Sequence, residues 1–176
     1  MAMTRQLSAD KAVFQKNGIE RSPLWDKVAH AFLAAHPKCA ACDATDGLNV
    51  HHQFPFHYVV ACGRPDLELD PRNLVTLCTR PGRQHHLLLG HLDDWESYNP
   101  VVNSFIKKFA GKSSADIHAA AVWNRAAGKR PKHLDQMTEA EKAAFKARLD
   151  RKFKPHSALM TKAVKARVLN SNESNG

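Results

Sequence analysis

The sequence of 176 residues has no long hydrophobic run, no visible secretory signal and few cysteines. No apolar stretch approaches the roughly 20 residues that a membrane-spanning helix needs, and the N-terminus lacks a basic segment followed by an apolar core. The 4 cysteines could form disulfides, but a Cys-x-x-Cys pair among histidines, without a signal, favours metal binding in a reducing cytosol. We therefore expect a cytoplasmic protein without membrane contact, and a disulfide-bonded secreted protein is the disfavoured alternative.

Positive charge is concentrated towards the C-terminus. The formal net charge is +9, yet residues 1–106 contain 10 Lys/Arg and 11 Asp/Glu, whereas residues 107–169 contain 16 and 5. Clustered Lys and Arg residues displace counterions from a phosphate backbone, which favours a polyanionic partner. An exposed, solubilising helical surface is the alternative explanation of the same charges.

Hydrophobic periodicity predicts two short strands, residues 48–54 and 74–78, and a helix that begins near Gln84. Residues 55–69 are expected to form a loop, because prolines and a glycine interrupt them. A unit of strand, loop, strand and helix is too small to bury a core unaided, so it needs a structural metal. The predicted fold class is therefore α+β, with a zinc-stapled core, flanking helices and a basic helical extension.

Composition and pattern divide the chain into four consecutive segments. They are an N-terminal segment (1–21), a metal-binding domain (22–110), a basic helical extension (111–169) and a tail (170–176). The tail is polar and rich in Ser and Asn, which predicts disorder.

Three cysteines and a histidine have the spacing of a structural zinc site. Cys39 and Cys42 flank a tight turn, which can point both thiolates at one tetrahedral cation. Cys78, at the end of the second predicted strand, is the natural third ligand, and His85, after a basic loop, is the best-placed fourth. Cys62 has no spacing partner and is expected to remain free. The alternative is that the paired cysteines are ordinary buried thiols.

A second group of polar residues has the composition of a catalytic site. Adjacent residues of a strand point to opposite faces, so His51 and His52 are expected to divide two tasks, metal binding and activation of a water. A divalent cation there would neutralise a phosphodiester and its leaving oxygen. His86 can reach the same metal, and the Asn73 amide can hold the loop between the strands or orient the base. His91 either completes this site or is a helix-end histidine favoured by the helix dipole.

The run from Cys39 to His91 resembles the HNH endonucleases, whose fold is a ββα-metal finger. The resemblance covers about a third of the chain and is carried by Cys39-Ala-Ala-Cys42, Asn49-Val50-His51-His52, Asp70-Pro-Arg-Asn73-Leu-Val-Thr-Leu-Cys78 and His85-His86-Leu-Leu-Leu-Gly-His91. It implies that His51 and His86 hold the catalytic metal and that His52 is the general base. Asn73 would be the central asparagine of the motif. The three cysteines fall on the structural zinc positions, and His85 stands where relatives often have a cysteine.

This resemblance implies a metal-dependent endonuclease that hydrolyses DNA phosphodiester bonds. Zinc would occupy the structural site, and Mg²⁺, Mn²⁺ or Ni²⁺ the catalytic one. The nuclease domain would cover residues 22–110, and a bacterial or phage origin is expected. The alternative function is a zinc-stapled nucleic-acid binding module without catalysis. The oligomeric state is left open.

Six basic residues are candidates for DNA contact. They are Arg72, Arg80 and Arg83, near the expected catalytic site, and Lys129, Arg130 and Lys132, in the basic extension. Solubilising loop charges are the alternative explanation of the three arginines near the site. Nothing resembles a base-reading motif, so no sequence specificity is predicted.

Overall fold

The computed structural model describes residues 11–12, 15–154 and 157–173, with side chains through residue 165. The chain forms two compact units, each built from separated stretches of sequence. The first comprises the described residues of Met1–Ala29, Pro55–Asn73 and Leu134–Gly176, and the second comprises His30–Phe54 and Leu74–His133. The division into consecutive domains at 22–110 and 111–169 stays a prediction.

Helices and two short strands make up the described part of the chain. The elements are α1 (Trp25–Ala35), β1 (Leu48–His52), α2 (Phe56–Ala61), β2 (Leu74–Cys78), α3 (Val102–Lys108), α4 (Ser114–Ala119), α5 (Ala121–Ala127), α6 (Glu139–Lys152) and α7 (Ser157–Glu173). Short 3-10 turns lie at Pro65–Glu68, Pro71–Asn73 and Leu134–Gln136, and a π-helical turn lies at His86–Gly90. The predicted α+β class is confirmed.

Strands β1 and β2 form an antiparallel pair in the second unit. His51 lies opposite Val75, and His52 lies opposite Leu74. The second strand is confirmed at the predicted bounds. The first strand ends at His52 rather than at the predicted residue 54. Pro55, which has no backbone N–H for a ladder, follows soon after and begins a new turn.

The core of the second unit surrounds the π-helical turn. Its buried apolar side chains come from the Cys-x-x-Cys turn, β2, the π turn and helices α3 to α5 (Cys39, Ala41, Ala44, Leu77, Cys78, Leu88, Leu89, Leu92, Val102, Phe105, Ile106, Phe109, Ile117, Trp123 and Ala127). The Trp123 indole N–H donates to the Leu88 carbonyl at 2.9 Å. This bond ties α5 to the turn that carries His86 and that is flanked by His85 and His91.

Residues 55–69 are not the predicted loop. They form α2 and a 3-10 turn, because Phe56, Tyr58 and Val59 are buried rather than exposed to solvent. The rings of Tyr58 and Phe145 pack at 5.9 Å between centroids. Pro55 and Pro65 lie at the N-termini of α2 and of the 3-10 turn. At these positions a backbone N–H would have no hydrogen-bond partner within the helix, so its absence in proline does not destabilise the turn.

Two helices, α6 and α7, form the C-terminal part of the described chain. Thr138 forms a capping box with Glu141 at the start of α6. Helix α7 continues to Glu173, so residues 170–173 are helical where a disordered tail is predicted. Residues 174–176, like 1–10 of the predicted N-terminal segment, lie outside the described residues.

Candidate metal centres

The three predicted cysteine ligands and His85 converge in the second unit. The Cys39 Sγ and Cys78 Sγ atoms lie 3.5 and 3.6 Å from the His85 Nδ1 atom. The Cys42 and Cys78 sulfurs lie 3.7 Å apart. The backbone turn is closed by bonds from the Cys42 and Asp43 N–H groups to the Cys39 carbonyl, at 3.3 and 2.9 Å.

These separations fit a tetrahedral zinc ion. With Zn–S near 2.3 Å and Zn–N near 2.05 Å, a tetrahedron places two sulfurs about 3.8 Å apart and a sulfur and a nitrogen about 3.6 Å apart. The His85 Nε2 atom lies 3.0 Å from the Lys112 carbonyl oxygen. A proton on Nε2 leaves the Nδ1 lone pair directed at the sulfurs, which is the usual way of orienting a metal-binding histidine. The cluster could therefore hold a metal such as zinc.

The electrostatics of the sulfur cluster favour the same chemistry. Hydrogen bonding with Cys78, followed by burial, raises the pKa of the Cys39 thiol. The same hydrogen bond lowers the pKa of Cys78. One sulfur of the pair therefore carries negative charge before a metal binds, and thiolate is the form that coordinates zinc.

A separate cluster contains His51, His86 and His91. Its ring centroids lie 5.2 Å apart for His51 and His86, 4.8 Å for His51 and His91, and 5.0 Å for His86 and His91. One nitrogen from each ring lies within 4.8 Å of the other two. Strand β1 supplies the first imidazole, and the π turn with the residue after it supplies the others. Three imidazoles at this spacing could hold a divalent cation.

His51 is the most unusual member of this cluster. Its side chain is 2% exposed, and neither ring nitrogen has a hydrogen-bond partner. Buried polar atoms are nearly always satisfied, so an imidazole with two orphaned nitrogens is suited to hold a ligand such as a metal ion. Burial, followed by repulsion from His91, His86 and His52, lowers the pKa of His51 well below its ordinary value. The ring is therefore neutral, as metal binding requires.

His91 is the half-buried C-cap residue of the π-helical turn, and its imidazole lies in the cluster. Its Nδ1 atom lies 2.8 Å from the Ser97 carbonyl oxygen. A proton on Nδ1 donates to that oxygen and leaves Nε2 as the free lone pair. Burial lowers the pKa of His91 to about 4, while the bond to Ser97 opposes this shift. Of the two explanations that the sequence leaves open, this geometry favours a site residue.

Gly90 allows His51 to enter the cluster. A Cβ atom built on Gly90 would lie 2.8 Å from the His51 Cε1 atom and 2.9 Å from its Nδ1 atom. Real side chains do not tolerate such distances, so only glycine permits this approach of backbone to ring.

Asn99 holds the backbone of the π turn from the side of α3. Its side-chain amide donates to the Leu89 carbonyl at 2.8 Å, and its backbone N–H donates to the Gly90 carbonyl at 2.8 Å. The Asn99 Oδ1 atom accepts a hydrogen bond from the Val101 N–H at 3.0 Å. A π turn leaves carbonyls without their usual α-helical partners, and Asn99 satisfies two of them.

The predicted catalytic residues His52 and Asn73 are both buried. His52 follows His51 at the end of β1, and it is close enough to lower the pKa of both His51 and His86 by electrostatic repulsion. Asn73 belongs to the first unit, where its amide donates to the Leu67 carbonyl at 2.9 Å. That bond fits the alternative in which Asn73 holds the connection between the strands.

The four arginines predicted to contact DNA all have partners within the protein. The Arg72 guanidinium makes two bonds of 3.0 Å to the Asp70 carboxylate, and Arg80 lies 3.5 Å from Asp46. Arg83 donates to the Gly111 carbonyl. Arg130 donates to the Leu92 carbonyl at 2.7 Å. Lys129 and Lys132 are exposed. DNA contact by these six residues stays a prediction.

Gly90, Asn99 and Trp95 belong to the candidate site but were not predicted from the sequence. The Trp95 side chain is 56% exposed, and its ring centroid lies 5.2 Å from that of His86 and 4.9 Å from that of His91. The Gly90-His91 pair could have indicated a close backbone approach. No motif in the sequence distinguishes Asn99 or Trp95, because their roles depend on how the π turn and the segment after it fold.

Comparison with protein-family models, curated proteins and solved structures gives no match. The likeness to the HNH family is therefore carried by the cysteine, histidine and asparagine positions alone. Among the described residues, every helix is too short or too polar to cross a membrane.

Proposed function

We propose that the protein is a metal-dependent endonuclease of the HNH type, which hydrolyses DNA phosphodiester bonds. The observation that carries the proposal is the His51, His86 and His91 cluster, which includes the buried, unsatisfied ring of His51. This cluster is separate from the Cys39, Cys42, Cys78 and His85 group. A structural zinc ion needs only the four ligands of the Cys39, Cys42, Cys78 and His85 group. The three imidazoles of the other cluster are therefore expected to serve a different function.

In this proposal the two clusters have different occupants. Cys39, Cys42, Cys78 and His85 would hold structural zinc. His51, His86 and His91 would hold a divalent cation such as Mg²⁺, Mn²⁺ or Ni²⁺. That cation would neutralise the phosphate and stabilise charge on the leaving oxygen. The orphaned nitrogens of His51 and the lowered pKa values of all three imidazoles suit a cation-binding role.

His52 is the proposed general base. Its imidazole takes a proton from a water, whose oxygen attacks phosphorus as the bond to the 3′ oxygen breaks. The products are a 5′ phosphate and a 3′ hydroxyl, which regains a proton. The electrostatic influence of His52 on both His51 and His86 supports this role, because the base must act on a water next to the bound phosphate. Asn73 contributes by holding the segment between the strands.

The distribution of charge supports a polyanionic substrate. Residues 107–169 contain 16 Lys/Arg against 5 Asp/Glu. Basic side chains are also exposed on the described surface of α6, including Arg148, Arg151 and Lys152. Such charge supplies affinity for a phosphate backbone without reading sequence.

A cleavage assay tests the proposal. Purified protein is incubated with supercoiled plasmid and Mg²⁺, Mn²⁺ or Ni²⁺ in turn, and nicked or linear products are resolved by electrophoresis. We expect cleavage by the wild type and its loss in His52→Ala and His51→Ala. His30→Ala is the matched control, since His30 is exposed and lies outside both clusters.

Two results would contradict the catalytic assignment. One is equal cleavage by the wild type and His52→Ala. The other is salt-sensitive DNA binding without cleavage in any of the three cations, which would instead support the non-catalytic zinc-stapled binding module.

A further inference from the structure

Trp95 presents a large aromatic side chain beside the histidine cluster. It is 56% exposed, whereas the other two tryptophans, Trp25 and Trp123, are 7% and 4% exposed. Single exposed apolar residues are common on protein surfaces. The position of Trp95 is what distinguishes it, since its ring lies about as close to His86 and His91 as those two rings lie to each other.

The segment that carries Trp95 is held from the chain after α5. Arg130 donates to the Leu92 carbonyl at 2.7 Å. The His133 imidazole lies 3.2 Å from the Asp94 carboxylate and 3.3 Å from the Glu96 carboxylate. These contacts engage both acidic neighbours of Trp95, whereas the indole itself lies against the rings of His86 and His91.

We propose that Trp95 is a stacking platform for an unpaired base next to the scissile phosphate, and that the preferred substrate is single-stranded or locally unpaired DNA. This inference rests on the proposed function. Both faces of a base in an intact duplex are covered by its neighbours, so an indole can stack only on a base that has left the stack. A base lies one sugar away from its phosphate, which is comparable to the distance between the indole and the histidine rings.

Binding measurements test this inference separately from catalysis. The fluorescence anisotropy of a labelled single strand, and of a hairpin duplex of the same composition, is measured without added divalent cation. Base stacking on an aromatic ring predicts that Trp95→Ala weakens single-strand binding about 5- to 100-fold. Trp95→Phe should retain most of the affinity. Val101→Ala, which truncates another side chain that is 47% exposed, should retain all of it.

Intrinsic fluorescence supplies a second measurement. The other two tryptophans are buried, so quenching by the single strand should be large in the wild type and nearly absent in Trp95→Ala. Unchanged single-strand affinity in Trp95→Ala, or an equal loss for the duplex, would overturn the inference. If plasmid is cut but Trp95→Ala binds normally, only this inference fails. If no cation supports cleavage but Trp95→Ala still loses single-strand affinity, the nuclease proposal fails and the stacking site stands.

Discussion

Replacing Gly90 by alanine should disturb the histidine cluster through one added methyl group. The new Cβ atom would lie 2.8, 2.9 and 3.1 Å from the Cε1, Nδ1 and Nε2 atoms of His51. His51 is 2% exposed, so its ring has little space into which it can move. Gly90 does not have a left-handed backbone conformation. Alanine at this position is therefore disfavoured by the contact of its Cβ atom with the His51 ring and not by backbone strain.

The expected cost follows from the rigidity of packed interiors. Overpacking by a methyl group costs about 1–3 kcal/mol. For a chain of this size that lowers the Tm by roughly 2–12 °C. Displacement of a metal-binding imidazole should also weaken cation affinity by about 10- to 100-fold, as loss of an orienting partner does in other metal sites.

Thermal unfolding and calorimetric titration with Mn²⁺ or Ni²⁺ measure these two effects, on protein that retains its structural zinc. Gly128→Ala is the matched control, because its Cβ would meet only two backbone oxygens, at 3.4 and 3.8 Å. A double-mutant cycle with His51→Ala isolates the contact. The added methyl should destabilise the protein much less when the His51 ring is absent. An equal loss of stability in both backgrounds would refute the reasoning, as would unchanged cation affinity in Gly90→Ala.

Three further predictions concern the same unit. Cys42→Ser should lose bound zinc and unfold at a lower temperature. Cys62→Ser, the control at a buried cysteine outside the cluster, should keep its zinc. Elemental analysis and thermal unfolding measure the two effects, and equal zinc content in both variants would contradict the prediction. Asn99→Ala should lower the free energy of unfolding by about 1–3 kcal/mol, because the buried Leu89 carbonyl loses its hydrogen-bond donor. Asn124→Ala, at an exposed asparagine, is the control. An equal effect of the two substitutions in urea denaturation would argue against a special role of Asn99. Burial, followed by repulsion from the neighbouring imidazoles, lowers the pKa of His51 below 6.5 in the folded state. As the pH falls, His51 is therefore protonated in the unfolded chain before it is protonated in the folded protein. The free energy of unfolding of the metal-free protein should decrease as the pH drops from about 6.5. Urea midpoints near pH 7.5 and pH 5 should differ less in His51→Asn than in the wild type, and an equal difference would show that His51 is not responsible.

The convergence of the sulfur cluster could be predicted from residue types and their spacing, although its ligands come from two separated stretches of the chain. Cys39 and Cys42 share one turn, and Cys78 ends a strand whose length and position are visible in the alternation of side chains. His85 follows after a short loop. Few backbone arrangements satisfy such spacing, so the pattern of residue types is enough to place the four ligands together.

The nature of residues 55–69 could not be predicted in the same way. Pro55, Gly63 and Pro65 predict a loop, and each is compatible with the observed turns only because neighbouring side chains are buried. Tyr58 packs on Phe145, more than eighty residues later in the chain. Local propensity is a weak signal where distant apolar contacts decide the outcome.

The sequence by itself determined the α+β class and the second strand, because alternation of side chains acts over short distances, and it predicted the four residues of the Cys3His cluster from their types and spacing. Only the tertiary structure decided that His51 is sealed against Gly90 with both nitrogens unsatisfied, that Asn99 holds the π turn, and that Trp95 stands exposed beside the imidazoles. Only the tertiary structure likewise showed that the four arginines predicted to contact DNA interact with carboxylates or carbonyls of the protein itself. The approach of His51 to Gly90 depends on packing between β1 and the π turn, and the contacts of Asn99, Trp95 and Arg72 depend on how nearby backbone turns orient these side chains; residue types along the chain specify neither.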